Sequence, residues 1–135
     1  MENKRKHLGF IQGVINRMAR CSFLIKGWCI TLVSALIALA VKEEESELII
    51  ITSIPVIIFW ILDGFFLCQE RLYRSLYDDV RMKSENHIDY SMNTSSFVGG
   101  RNSWICSTFS KTLNLLYLSL IALITIASFI LECTY

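Results

Sequence analysis

The residues whose chemistry is least expected in their surroundings are Asp63 and Lys26. Asp63 is the single charge in the apolar run 48–68, and Lys26 interrupts the apolar run 23–41. An ionised carboxylate at the centre of a bilayer costs about 3 kcal/mol on insertion scales, so such a residue usually faces protein or water. Two interpretations stay open. In the first, Asp63 and Lys26 line a pore, an ion site or a proton site. In the second, Asp63 is buried and bonded to Lys26, Trp28 or a neighbouring subunit.

The other reactive side chains form no catalytic or metal-binding pattern. The five cysteines are odd in number, contain no C-x-x-C pair, and mostly lie in or beside apolar segments. Free cysteine behaves there as a small hydrophobe, which argues against a disulfide framework and a metal site. His7 and His87 lack cysteines or carboxylates at a spacing that would change this. No G-x-S-x-G, H-E-x-x-H or Walker sequence occurs, so we predict no enzyme, no cofactor and no metal.

The composition indicates which elements must position these residues. Of 135 residues, 53% are apolar and 19% are charged, and the mean hydropathy is +0.47. Soluble domains carry roughly 25% charged residues, and one this small would struggle to bury so much apolar surface. A bilayer removes that difficulty, because lipid solvates the apolar side chains. The net charge of +1 argues against a nucleic-acid partner. We therefore predict a single membrane domain over 1–135.

Three apolar runs are predicted to span the membrane, at 23–41, 48–68 and 113–131. Each is close to the roughly 20 residues that a spanning helix needs, and lipid requires a helix because every backbone group must be satisfied internally. In the first run, Lys26 can extend its ammonium to the headgroups. Residues 38–40 resemble a signal-peptide cleavage site, but the long preceding segment favours a signal anchor. The predicted fold class is an all-α membrane protein.

The distribution of lysine and arginine predicts the orientation. Segments 1–26 and 69–112 are rich in both residues, whereas the turn 42–47 has only Lys42 among glutamates and the tail after Leu131 has neither. Basic loops stay on the cytoplasmic side. We therefore expect the amino terminus and 69–112 in the cytoplasm, and the acidic turn and carboxyl terminus outside.

Two amphipathic stretches are predicted on that cytoplasmic side. In 8–22, apolar residues recur at helical spacing, which predicts a helix that either lies on the inner leaflet or packs against another cytoplasmic helix. The pattern of the second span continues to about residue 80, which predicts one helix over 48–82 that extends beyond the membrane. Packing the two stripes together is the simplest way to cover both. The predicted cytoplasmic interface comprises Arg17, Arg20, Glu70, Arg71 and Arg74.

The charges of this interface allow two arrangements. Arg17 or Arg20 would meet Glu70, Asp78 or Asp79 of the second helix, or the charges form a solvated face. The segment 84–102 lacks periodicity and contains Ser, Asn and a Gly-Gly pair, which predicts a loop. After it, Asn102 or Ser103 is expected to cap a third helix that starts at Trp104.

Helix packing and bending are predicted from small residues and proline. One face of the first span carries a small-residue stripe, defined as Gly27, Thr31, Ser34 and Ala38, which permits close helix approach. The partner is a helix of the same chain or of another copy, and we expect homo-oligomerisation because three spans enclose little by themselves. Pro55 leaves a carbonyl without its helical hydrogen bond and is expected to kink the second span. The kink either takes part in gating or has no special role, since proline is common in membrane helices.

The chain resembles a family of small bacterial membrane proteins with no assigned activity, over about residues 10–131. The resemblance lies in Asn16-Arg17-Met18, Lys26-Gly27-Trp28, Phe59-Trp60 with Asp63, and Gln69-Glu70-Arg71-Leu72-Tyr73. It implies a bacterial inner membrane and a common role for Lys26, Asp63, Glu70 and Arg71. Many bacterial proteins of this build resemble membrane effectors of anti-phage systems.

Two functions are therefore expected. The first is a non-enzymatic, homo-oligomeric membrane effector or channel-like protein that responds to a cytoplasmic signal or partner. The alternative is a membrane scaffold that anchors a cytoplasmic protein and conducts nothing. The bilayer is a partner in both.

Overall fold

In the computed structural model, which describes residues 1–44 and 46–134, every long element is a helix. No strand occurs in either range. The helices are α1 (Glu2–Glu43), α2 (Ser46–Ile51), α3 (Ser53–Met82), α4 (Trp104–Thr108) and α5 (Lys111–Thr134), with single 3-10 turns at Glu85–His87, Ser95–Phe97 and Gly100–Asn102. Three helical segments are long and apolar enough to cross a membrane: Glu2–Glu43, Glu47–Met82 and Lys111–Thr134. The prediction of an all-α protein with three such helices is confirmed.

Helix α1 is one uninterrupted helix of 42 residues, so the amphipathic segment 8–22 and the apolar run 23–41 share one axis. No proline occurs within it. The helix ends where Glu44 adopts a left-handed conformation (φ 58°), and the Glu44 N–H bonds the carbonyl of Ala40. This is a common way to satisfy a carbonyl at a helix carboxyl end.

Helices α2 and α3 occupy the predicted helix 48–82, but they are separated at Thr52. Pro55 explains the interruption. It has no backbone N–H to donate, and its ring crowds the carbonyl of residue 51, four positions earlier. Thr52 keeps right-handed helical angles (φ −61°, ψ −20°). Its hydroxyl donates to the Leu48 carbonyl at 3.0 Å, and Ser53 Oγ donates to the Ile50 carbonyl at 2.6 Å. The hydroxyls thus partner carbonyls near the break.

The third predicted helix begins later than expected. Ser103 caps a helix at Trp104 as predicted, with its Oγ accepting from the Cys106 N–H at 3.2 Å, but this helix is the short α4. The long apolar helix α5 starts separately at Lys111. Gly64 allows α4 to lie directly on α3, because a Cβ there would overlap Thr108 Oγ1 and lie 2.8 Å from Thr108 Cα. The sequence pattern does not reveal this close approach.

The helices form two regions with separate apolar cores. The span bundle comprises residues 22–44, 46–68 and 111–134, and the stalk comprises 2–21 and 69–82 with the loop 84–102 packed along it. The core of the span bundle is Cys29, Val33, Ala40, Ile49, Val56, Leu113, Tyr117, Ile124 and Leu131. The core of the stalk is Ile11, Ile15, Leu76, Val80 and Ile88. The apolar stripe of 8–22 therefore packs on α3, through Ile11 and Ile15.

Candidate functional site

Asp63 lies at the junction of α1, α3 and α5 and is completely buried, with 0% of its surface exposed. Lys26 Nζ approaches Asp63 Oδ2 at 2.6 Å. The Tyr117 hydroxyl donates to the same oxygen at 3.0 Å, and Ser22 Oγ donates to Oδ1. We call Ser22, Lys26, Asp63 and Tyr117 the polar lock. Both carboxylate oxygens are bonded within the chain, as a buried charge requires.

Lys26 reaches the polar lock from the edge of the bundle. Its side chain is 22% exposed, and its ammonium also donates to Ser22 Oγ at 2.6 Å. The residues Ser22 and Lys26 are four apart on α1 and therefore share one face. Trp28, the other partner considered for Asp63, is 66% exposed and lies on a different face of α1. Of the two arrangements open from sequence, the geometry within one chain is that of a bonded, buried aspartate.

Aromatic side chains fix the position of Tyr117. The Trp60 ring stacks on the Tyr117 ring with centroids 5.8 Å apart and an interplanar angle of 9°. Trp60 Nε1 donates to the Thr108 carbonyl at 2.8 Å, which ties the stack to the end of α4. Sequence reasoning missed Ser22, Tyr117 and Thr108. The available signals were the four-residue spacing of Ser22 and Lys26, and a tyrosine inside an otherwise apolar run.

One of the two arrangements expected for the predicted cytoplasmic interface was ion pairing between arginines of α1 and carboxylates of α3. Arg17 and Arg20 are exposed and have no salt bridge within 1–44 and 46–134. Carboxylates of α3 instead pair along their own helix: Glu70 with Arg74 (2.7 Å), Asp78 with Arg81 (3.6 Å) and Asp79 with Lys83 (2.6 Å). Ile11 and Ile15 turn toward α3, which directs the two arginines away from it. Arg17 and Arg20 therefore do not meet the α3 carboxylates within the described ranges, and both lie on an exposed face.

Arg71 is the member of that interface with contacts across the fold. Its Nη1 donates to the Arg101 carbonyl at 2.9 Å and to Ser107 Oγ at 3.3 Å. Ser107 is fully buried. Asn102 adds a second link, with its amide donating to Ser75 Oγ at 2.9 Å. These bonds hold the end of the loop 84–102 against α3.

The small-residue stripe on α1 faces away from the rest of the chain. Gly27, Thr31, Ser34 and Ala38 are all exposed, while Cys29 and Val33 form the buried face. Thr31 Oγ1 donates to the Gly27 carbonyl at 2.9 Å, so its hydroxyl is satisfied within the helix. The stripe is not used for packing within this chain.

A second candidate site is an open cleft at the far end of the stalk, which we call the tip cleft. Its volume is about 650 Å³ and it is lined by Asn3, Lys6, His7, Phe10, Val14, Tyr90 and Met92. His7 is 5% exposed, and its Nε2 has no hydrogen-bond partner among the described residues. The Tyr90 ring packs edge-on against His7 with centroids 5.5 Å apart. Phe10 is 69% exposed.

The tip cleft is held together by contacts between the start of α1 and the end of α3. Lys4 Nζ donates to the carbonyls of Arg81 (3.0 Å) and Lys83 (2.6 Å). The pKa of Glu85 is lowered because its carboxylate accepts a hydrogen bond from the amino group of Met1 and lies near Lys4. These contacts fix the loop 84–102 beside the first turns of α1.

Within the part of the chain that the structure describes, no group of three or more His, Cys, Asp or Glu side chains could hold a metal ion. The five cysteines are free thiols. Two candidate sites remain. One is the polar lock inside the span bundle, in which both oxygens of Asp63 are bonded, and the other is the open tip cleft. No protein-family model, curated protein or solved structure matches this chain.

Proposed function

We propose that this protein is a membrane-anchored docking protein. The span bundle fixes it in a bacterial inner membrane, with the amino terminus and residues 69–112 in the cytoplasm and the carboxyl terminus outside. The stalk presents the tip cleft to a cytoplasmic protein. The observation that carries the proposal is the tip cleft itself, an open apolar cleft with an exposed phenylalanine and a buried, unpartnered histidine.

The position of the tip cleft supports a protein partner. Phe10 precedes Lys26 by sixteen residues, which is about 24 Å along a helix axis. Lipid that surrounds the span bundle does not reach that distance along the stalk. A large exposed aromatic side chain beside other apolar groups marks an interaction surface on a water-exposed region. Aromatic residues also dominate binding energy at protein interfaces.

The chemistry of the tip cleft supports the same proposal. His7 Nε2 has no hydrogen-bond partner among the described residues, and a buried polar atom without a hydrogen bond is unfavourable. A partner group that displaces the Tyr90 ring and bonds this nitrogen removes that penalty. Lys6 and Asn3 offer further donors at the rim.

The polar lock supports an anchoring role for the span bundle. An ion pathway needs polar groups that remain available to the ion, and the Asp63 carboxylate is buried with both oxygens bonded. Such a network ties α1, α3 and α5 to one another. A rigid base of this kind suits a protein whose working surface lies elsewhere.

Site-specific photocrosslinking tests the proposal. A photoreactive phenylalanine analogue replaces Phe10 in one strain and Phe23 in another, since Phe23 is similarly exposed (76%) but lies at the span bundle. We expect a crosslinked soluble protein from position 10 and not from position 23, and its co-purification is lost in Phe10→Ser. Identical crosslinking at both positions, or none to any soluble protein, contradicts the proposal.

A second candidate function is a homo-oligomeric effector or channel-like protein, triggered by a cytoplasmic signal or partner in anti-phage defence. The exposed small-residue stripe favours it, because such a face allows two copies of α1 to approach closely. Ala38→Leu is expected to abolish oligomers and ion flux, whereas Ala122→Leu on the exposed side of α5 leaves both intact. Absence of flux contradicts this candidate, and flux unaffected by Asp63→Asn and Lys26→Ala contradicts a role for these two residues in the ion pathway.

A further inference from the structure

A lateral cleft opens between α1 and α5 on the side of the span bundle. Its volume is about 340 Å³ and it is lined by Lys26, Thr112, Leu115, Leu116 and Ser119. α1 packs mainly on α3 rather than on α5, which leaves this gap at the bundle surface. Leu115 and Leu116 form its apolar wall, Thr112 and Ser119 lie at its two ends, and Lys26 borders it from α1.

The Thr112 end of the lateral cleft lies toward the stalk. Lys26 and Tyr117 both bind Asp63, so they share one depth in the bundle. Lys111 precedes Tyr117 by six residues and therefore lies about 9 Å closer to the stalk along the helix axis. A membrane that covers the apolar part of α5 puts this lysine at headgroup level.

The charge at this end is positive. The ammonium of Lys26 is matched by Asp63 at 2.6 Å. Lys111 is exposed and has no salt bridge among the residues described. None of the residues that line the cleft is a carboxylate. Lys111 directly precedes Thr112 and lies four residues before Leu115, so it shares the cleft side of α5 although it does not line the cleft. A trough that ends at a threonine hydroxyl beside an unmatched cation is complementary to a lipid with an anionic headgroup.

We infer that the lateral cleft binds an anionic phospholipid. One acyl chain lies against Leu115 and Leu116, and the phosphate meets the Lys111 ammonium and the Thr112 hydroxyl. A basic residue at an anionic membrane surface contributes about 1 kcal/mol, or roughly fivefold in occupancy. The inference requires insertion in a membrane but neither of the functions proposed above.

Lipid retention tests the inference. The full chain is reconstituted in mixed phosphatidylcholine and phosphatidylglycerol bilayers and extracted in mild detergent, and the retained lipids are quantified by native mass spectrometry. We expect phosphatidylglycerol to be enriched about fivefold over its share of the bilayer. Lys111→Gln returns the ratio to that of the bilayer, and Lys111→Arg restores the enrichment. Ser119→Phe fills the cleft and removes the bound lipid itself.

Arg17→Gln is the matched control, since Arg17 is also exposed and unpaired but lies outside the cleft. It is expected to leave the enrichment intact. An equal loss in Arg17→Gln and Lys111→Gln overturns the inference, because it indicates diffuse attraction to the surface. A bilayer-like ratio in the unmodified protein overturns it too, as does enrichment that survives Ser119→Phe in a variant with unchanged helix content.

Discussion

The span bundle and the stalk are built from the same two long helices in opposite ways. The span bundle buries the charge of Asp63 near its stalk end and exposes large apolar residues such as Ile58 (59%) and Ile126 (60%). The stalk buries an apolar core around Ile11 and Leu76 and carries its ion pairs on the surface. α1 and α3 pass from one arrangement to the other without a change of partner.

The difference shows what drives packing in each region. In the stalk, apolar burial against water stabilises the helix pair. In the span bundle, lipid is as apolar as leucine, so burial of apolar surface contributes little to helix association. Hydrogen bonds and the ion pair then determine which faces meet. We therefore expect polar substitutions to matter most in the bundle and apolar truncations to matter most in the stalk.

The largest expected effect comes from Lys26→Met. Removing one partner of a buried pair leaves an uncompensated charge, which costs about 3–5 kcal/mol. Asp63→Asn should cost less, because Lys26 is 22% exposed and its ammonium can extend to the headgroups. Denaturant unfolding in detergent micelles measures the loss of stability in each variant. The double variant Lys26→Met/Asp63→Leu should recover much of the loss, and failure to recover would contradict an electrostatic origin.

Leu76→Ala in the stalk core is expected to reduce stability by about 3 kcal/mol, since the buried leucine leaves a cavity. Leu118→Ala is the matched change in the span bundle, where the side chain is 52% exposed. We expect it to have little effect, because its surroundings are lipid. Unfolding monitored by circular dichroism compares the two. Equal losses would show that the regions are not stabilised differently.

Gly64→Ala is expected to cost about 1–3 kcal/mol through overpacking. The added Cβ would overlap Thr108, which cannot retreat easily because the clash includes its backbone at 2.8 Å. Gly27→Ala is the control, since nothing lies within 4 Å of a Cβ there, and helix propensity predicts a gain of roughly 0.5–1 kcal/mol. Thermal unfolding of both variants measures the two changes in stability. A neutral Gly64→Ala would show that α4 is not seated on α3.

The smallest expected effect is that of Lys4→Met at the stalk tip. The ammonium bonds carbonyls at the end of α3 (2.6 and 3.0 Å), and a cation at a helix carboxyl end contributes about 0.3–1 kcal/mol. Because the contact is exposed, salt should screen it. The unfolding difference between Lys4→Met and the unmodified protein should shrink as salt is raised. A difference that is independent of salt would indicate a packing effect.

The sequence predicted the three long apolar helices and the pairing of two amphipathic stripes. It also singled out Asp63 and Lys26, since both stand out against apolar runs, but it left open whether they bond to each other. It did not predict the break at Thr52, where one continuous helix was expected, nor the separation of α4 from α5. Both depend on where individual carbonyls find partners, which apolar periodicity does not encode.

By itself, the sequence determined the number of long apolar segments and their helical type, because the length and hydropathy of a run are local properties. The tertiary structure decided what the polar residues do. Only it brings Ser22 and Tyr117, far apart in the chain, onto the two oxygens of Asp63. Only it buries His7 Nε2 with no hydrogen-bond partner in the described ranges, since that depends on where the loop 84–102 folds back. Hydrogen bonds between distant segments require a fixed relative placement of helices, and no local pattern specifies that placement.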